Sequence, residues 1–486
     1  MRTYNLKISP KLLINFENIK VFPGLFILIW GVMLIGVSIM VGTAKFSADS
    51  WSYIELANTV FGKEFYSFNT YRSYLSDYRS AAFPPVYPVM IAILRFFFGP
   101  YPILAIGLNI IVGTVTGLLL VSIAKEAGLN LVMQASLSLS MLLYGPYLEE
   151  VLAGRSMPLA IIFFVGSCRA ILSRRYLLAG LFLGFASITR FDFLAYALLF
   201  QAGLFFLYFS KSKSKLFCYT MIGFISGIIP WIIYSEIFFS RLWVADNSWV
   251  ATSITHSFVL DFPATSLTLF DSPGAWFSRV IRNLPKLVQS VIGASLDYPL
   301  IIILLFLRIF QSVERRKVQY KNIVISSLAL ISLAPYALTG YYDYRYFTLF
   351  FLVISFFIAS QLRYFKAEIK SASRLFLLIL IIPIAFGVFS LERIIQYAIV
   401  NKNRIAFEDK FISSLWACQK QQPKVRYIFS GKAHYLAAKY GAITGGRSAF
   451  IPSNFELMES EERHKYFMKM MPYKIVGSIT ESDLCN

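Results

Sequence analysis

The sequence predicts an all-α multi-pass membrane protein of about eleven spans plus juxtamembrane helices, followed by a small α/β extracytoplasmic domain. Three observations predict it. Hydrophobic residues make up 57% of the 486-residue chain, with mean hydropathy +0.62, where soluble domains sit near ~45–50%. Apolar runs close to ~18 residues recur along the chain, the length that crosses a ~30 Å hydrocarbon core as a helix. Charged residues, only 15%, gather between those runs. A net charge of +20 would suit nucleic acid in a soluble protein. Here the basic residues flank apolar spans, where Lys and Arg set orientation, so no nucleic-acid partner is expected.

Clear apolar runs lie near 21–43, 103–124, 130–147, 157–172, 176–209, 216–239, 296–312, 323–340, 346–362 and 375–393. Residues 1–20 are polar and basic and read as a cytoplasmic N-terminus, with the first span as its own insertion signal. The run 83–98, bounded by Pro84-Pro85 and Gly99-Pro100, is short for a crossing and is expected to lie in the interface. The run 176–209 is too long for one crossing and would put Arg190 and Asp192 at mid-bilayer. It is expected to be a hairpin with those residues at its outer turn. The basic groups Arg169/Arg174/Arg175, Lys211/Lys213/Lys215, Arg315/Arg316/Lys317/Lys321 and Arg363/Lys366/Lys370/Arg374 then all fall on the cytoplasmic side.

This topology makes 21–399 the membrane domain, with long outer loops at 44–102 and 240–295 and short outer turns near Glu149 and Tyr341–Tyr346. The tail, 400–486, lies outside. Its KVRYIFS and YKIVGSI segments read as strands around an amphipathic helix and a glycine-rich turn, a small α/β unit. Cys418 and Cys485 are placed to pair if that compartment is oxidising. The composition leans to a prokaryotic plasma membrane.

The chemistry-bearing residues gather on the outer side. Asp49 and Tyr53 are four apart and share one face of a helix opening the first loop. A carboxylate there can act as general base or bind a cation; a first-turn acid also complements a helix dipole. Glu149 and Glu150, followed by Arg155, offer a second acid, and paired acids suit glycosyl chemistry. Arg190 and Asp192 form an ionisable pair at membrane depth. In the run Tyr341 to Tyr346, an aromatic belt explains the tyrosines, including Tyr344, but not Arg345, whose fork fits a phosphate. No GxxxxGK[ST], HExxH or CxxC occurs, which argues against ATP-driven transport. His256 with Asp246, Asp261 and Asp271 is a weaker cation candidate in the third loop.

In these pieces the chain resembles the GT-C superfamily of glycosyltransferases, most like the branch with protein O-mannosyltransferases and the lipid A aminoarabinose transferase. Five features carry the resemblance: the D-x-x-x-Y stretch Asp49–Tyr53; Pro84-Pro85-Val86-Tyr87-Pro88; Glu149/Glu150 ahead of Ser156-Met157-Pro158; Ala179-Gly180-Leu181-Phe182-Leu183-Gly184 running to Thr189-Arg190; and Arg345-Tyr346-Phe347. The resemblance implies a sugar donor carried on a dolichyl- or undecaprenyl-type phosphate and a protein, glycan or lipid acceptor. Transfer would be inverting, with Asp49 as general base and Glu149 or Glu150 as second acid. Arg345, with Arg190 or Arg79, would face the leaving phosphate, and Tyr53, Tyr87, Arg155 and Tyr344 would line the substrate site. Ser50 stands where many relatives carry a second acid, so a divalent cation is left open as cofactor. The aminoarabinose branch would also show a lysine near the PPxY run, which this chain lacks. A lipid-linked-sugar flippase or other secondary transporter is the alternative, and would show an internal repeat and charges near the midplane.

Overall fold

The computed structural model describes residues 22–62, 65–67, 70–71, 83–208, 214–240, 242–243, 273–298, 344–362 and 372–421, with 300–301, 304 and 333. In the tail it describes 426–430, 439–440, 442–444, 448–451 and 473–476. Nearly all of the expected span 323–340 and most of 296–312 lie outside the described residues, as do Arg79, Asp246, His256, Asp261, Asp271 and Cys485.

The chain is helical, in the order α1 (Phe22–Val41), α2 (Ala48–Thr59), α3 (Val86–Phe98), α4 (Leu104–Glu126), α5 (Leu131–Leu142), α6 (Gly145–Leu152), α7 (Met157–Leu172), α8 (Tyr176–Ser187), α9 (Asp192–Tyr208), α10 (Ser214–Phe239), α11 (Pro273–Leu296), a 3-10 turn (Tyr344–Phe347), α12 (Thr348–Leu362) and α13 (Ala372–Gln421). Among the described residues α1, α4, α10 and α13 are long and apolar enough to cross a membrane. The pair α5 and α6, bent by 57°, makes a fifth candidate. The bend falls where Gly145 and Pro146 open α6, because proline cannot continue the preceding helix.

The run 176–209 folds as two helices, α8 and α9, around a turn at Thr189-Arg190. Its 83–98 counterpart, α3, has 13 residues, about 20 Å of helix, and packs against α2. Lipid gives helices no hydrophobic reason to associate, so close approach must come from small residues. The α8–α10 contact has this form. Gly180 and Gly184 face Gly223 and Gly227, and a Cβ on Gly184 would sit 2.6 Å from the Phe224 carbonyl oxygen.

Two segments exceed their sequence expectation. The third outer loop, 240–295, ends in α11, an amphipathic helix with an exposed apolar stripe at Ile281, Leu284, Val288 and Ile292. Helix α13 does not end near 393 or at the expected tail boundary of 400 but continues to Gln421 as 50 unbroken residues. That is about 75 Å, more than twice a bilayer core. The hydropathy signal stops where the helix leaves lipid, while the helix itself does not.

The tail contributes β2 (Arg426–Ser430), β3 (Ser448–Ile451) and β4 (Tyr473–Val476) to a parallel sheet in the order β1-β3-β2-β4. Strands β2 and β4 match the two strands read from sequence. The edge strand β1 (Thr70–Tyr71) comes from the first outer loop and pairs with Ser448 and Ala449. Cys418, near the end of α13, is disulfide-bonded, and Cys168 and Cys218 are free.

Candidate active site

Helix α2 begins with a capping box. Ser47 accepts from the Ser50 amide, and Ser50 Oγ takes the Ser47 amide at 2.9 Å. The hydroxyl of Ser50 is thereby committed to the cap. Asp49 sits in the first turn, half-exposed, in a helix otherwise buried on nearly every side. Its carboxylate makes no hydrogen bond or ion pair among the described residues, yet lies near enough to Tyr53 and Arg155 to act on both electrostatically. Tyr53, one turn on, is buried, with its hydroxyl 2.7 Å from Ser156 Oγ and its ring edge-on to Phe83 and Tyr87. Burial pushes its phenol well above the usual range, so it stays protonated.

The second acid is positioned by a helix C-cap. Helix α6 ends at Leu152, and Gly154 turns at φ 64°, a left-handed conformation that glycine adopts at little cost. The Gly154 amide bonds the Val151 carbonyl and the Arg155 amide bonds the Glu150 carbonyl. This is the Schellman pattern, and it folds Arg155 back over Glu150. Asn109 of α4 fixes the turn with Nδ2 bonds to the carbonyls of Arg155, at 2.8 Å, and Glu150, at 3.3 Å.

The adjacent glutamates diverge. Glu150 is fully buried, and its Oε1 accepts from Arg155 Nη1 at 2.7 Å and Arg345 Nη1 at 3.1 Å. Its Oε2 is buried with no hydrogen-bond partner among the described residues. Glu149 is half-exposed and pairs at 3.7 Å with Lys45, whose ammonium lies 4.0 Å from the Tyr397 ring.

The cluster extends on both sides. Arg155 Nε donates to Ser47 Oγ at 3.0 Å, so the α6 turn is tied to the N-cap of α2, the helix that carries Asp49. Arg345 and Arg190 both lie on the Tyr346 ring, at 5.1 and 5.3 Å from its centroid. Arg190 in turn forks onto Asp192 at 3.0 and 3.2 Å. Three guanidinium groups thus share two carboxylates in a largely buried cluster, with the unbonded Asp49 beside it. A buried guanidinium is a strong, bidentate partner for a phosphate or carboxylate.

Of the residues the sequence singles out, Asp49, Tyr53, Tyr87, Glu150, Arg155, Arg190 and Arg345 converge here. Glu149 does not. Tyr344 does not either: its side chain lies over Gly293 of α11, while its carbonyl accepts from Tyr144 at 2.9 Å. Sequence reasoning missed Ser47 and Asn109, and it named Ser156 and Tyr346 only as parts of longer runs, without a place in the site. Asn109 carried a signal, as an amide inside an apolar span; the others are ordinary residues whose role depends on what packs beside them. No group of three or more His, Cys, Asp or Glu is placed to hold a metal ion among the described residues.

No protein-family model and no curated protein matches the chain. A solved structure does: the crystal structure of ArnT from Cupriavidus metallidurans bound to undecaprenyl phosphate. The match has TM-score 0.52 at 11% identity and covers 91% of each chain. At that identity it shows the fold alone: an architecture of apolar helices shared with ArnT, in keeping with the all-α membrane fold class the sequence predicts.

Proposed function

We propose that this chain is an integral membrane glycosyltransferase. It moves a sugar from a polyprenyl phosphate to an acceptor on the extracytoplasmic side. One observation carries the reading: an unbonded, half-exposed carboxylate, Asp49, stands near Arg155, one of three converging guanidinium groups, in a fold shared with a protein crystallised with undecaprenyl phosphate.

The geometry supports a division of labour. The donor phosphate would meet Arg345 and Arg190, with Arg155 behind them. Glu150, enclosed between two guanidinium groups, is suited to orient them rather than to exchange protons. Asp49 takes the proton from the acceptor hydroxyl as its oxygen attacks the anomeric carbon. The bond from that carbon to the phosphate oxygen breaks on the opposite face, and polyprenyl phosphate leaves with the electron pair. Configuration inverts. Charge growing on the phosphate in the transition state falls against fixed cations, where such stabilisation is largest. The disulfide at Cys418 fits a tail, 400–486, in an oxidising compartment, and the site would face the same side of a prokaryotic plasma membrane.

The test uses purified protein in nanodiscs with radiolabelled polyprenyl-phosphate sugars and membrane acceptors. Wild type should move label off the lipid. Asp49→Asn should keep donor binding and lose turnover by about 10²–10⁴-fold, the usual contribution of a general base. Equal turnover in both would remove Asp49 from the chemistry. No turnover of any donor, with lipid flipping in the same vesicles, would replace the transferase with a transporter.

A further inference from the structure

Lys439 belongs to the tail, yet it is among the most buried charged side chains described, 1% exposed. A buried ammonium needs close counter-charges. Lys439 finds them on α13: Glu408 Oε2 at 3.0 Å and Asp409 Oδ1 at 2.8 Å. These acids lie about 54 Å along α13 from its start, beyond any bilayer core. The same ammonium lies 5.7 Å from the Trp51 ring centroid. Trp51 is in α2, two residues from Asp49, buried and edge-on to Phe46 at 5.0 Å.

Two further attachments run between the same parts. Asn58, near the other end of α2, donates from Nδ2 to the Ala442 carbonyl at 3.0 Å. Strand β1 of the first outer loop adds to the β3 edge of the tail sheet. Helix α2 is therefore held from two sides. On one, Arg155 grips the Ser47 cap. On the other, Lys439 lies over the Trp51 ring while anchored to α13. Neither grip touches the Asp49 carboxylate, but both fall on the helix that carries it.

We infer that Lys439 is a positioning residue, through which the docked tail sets the placement of α2 and hence of Asp49. The inference rests on the reading of Asp49 as the base. Misplacing a reacting group by ~1 Å costs on the order of 10²-fold in rate, so the expected signature is a loss in kcat with donor affinity retained.

The full-length protein tests this with Lys439→Met, which keeps the apolar stem and removes the charge, and Lys439→Arg, which keeps the charge. Two readouts need no catalysis: hydrogen exchange at the amides of 48–58, and binding of polyprenyl phosphate. Lys439→Met should speed exchange in α2 about tenfold or more, leave polyprenyl-phosphate binding within about threefold, and lower kcat by roughly 10²-fold. Lys439→Arg should recover most of both losses. If Lys439→Met does not fold, the exposed Asn58→Ala removes the second attachment and should shift exchange and kcat in the same direction. Unchanged α2 exchange in a folded Lys439→Met protein overturns the inference. So does equal loss of lipid binding and turnover that Lys439→Arg does not rescue. Faster α2 exchange alongside full turnover by Asp49→Asn would uphold the coupling and sink the assignment of the base instead.

Discussion

Glu149 and Glu150 show how much one residue's direction decides. Neighbours on a helix point about 100° apart, and here one enters the cluster while the other reaches Lys45. Glu150→Gln leaves two guanidinium groups around a neutral amide. Breaking a buried pair in this way costs about 3–5 kcal/mol, read as a lower unfolding midpoint in detergent. Glu149→Gln removes a half-exposed pair worth under ~1 kcal/mol and should leave turnover close to wild type. An equal effect of the two substitutions would contradict the geometry of the site. Arg345→Lys keeps the charge and loses the fork. It should fold normally and raise the donor KM about tenfold, the equivalent of one charged hydrogen bond.

Among the elements, the α8–α10 pair carries the sharpest expectation. The turn that presents Arg190 hangs from α8, and α8 is seated by backbone contact through Gly180 and Gly184. Gly184→Leu should force the helices apart, lowering both the yield of folded protein and turnover. Gly107→Ala in α4 is the control. A Cβ there meets nothing within 4 Å, and the helix-interior exchange should be neutral or stabilising by about 0.5–1 kcal/mol. Thermal unfolding of the two variants side by side separates close packing from a general effect of glycine. The α6 cap belongs to the same scale. Without the left-handed Gly154, Arg155 would not return to Glu150, so Gly154→Val should disturb the cluster without touching any charge.

At the scale of the whole molecule, the α2 helix, the arginine cluster and the tail sheet must share one side of the membrane, because they touch through Ser47–Arg155, Trp51–Lys439 and β1–β3. The proposed topology puts that side outside. An impermeant maleimide on intact cells should label Lys402→Cys in the exposed stretch of α13. It should label Arg174→Cys, between α7 and α8, only after permeabilisation. Reversed labelling would place the site in the cytoplasm and remove the oxidising compartment from the account.

The sequence by itself determined the solvent, most of the helices and most of the stock of site residues. Those properties are local: apolar runs, a proline or glycine at a bend, a serine cap, an arginine where lipid tolerates none without a purpose. It made α8 and α9 a hairpin and marked Asp49, Arg155, Arg190 and Arg345 before anything placed them together. It left Glu149 and Glu150 equal, because they share one local composition and only a packed neighbour tells their faces apart. It ended α13 too early, because hydropathy reports contact with lipid and not helicity. The tertiary structure alone decided that Arg345 meets Glu150 across 195 residues, that Thr70–Tyr71 completes a sheet of the tail, and that Lys439 comes to rest on Trp51. Such pairings depend on how helices far apart in sequence pack, and no local pattern of residues records that.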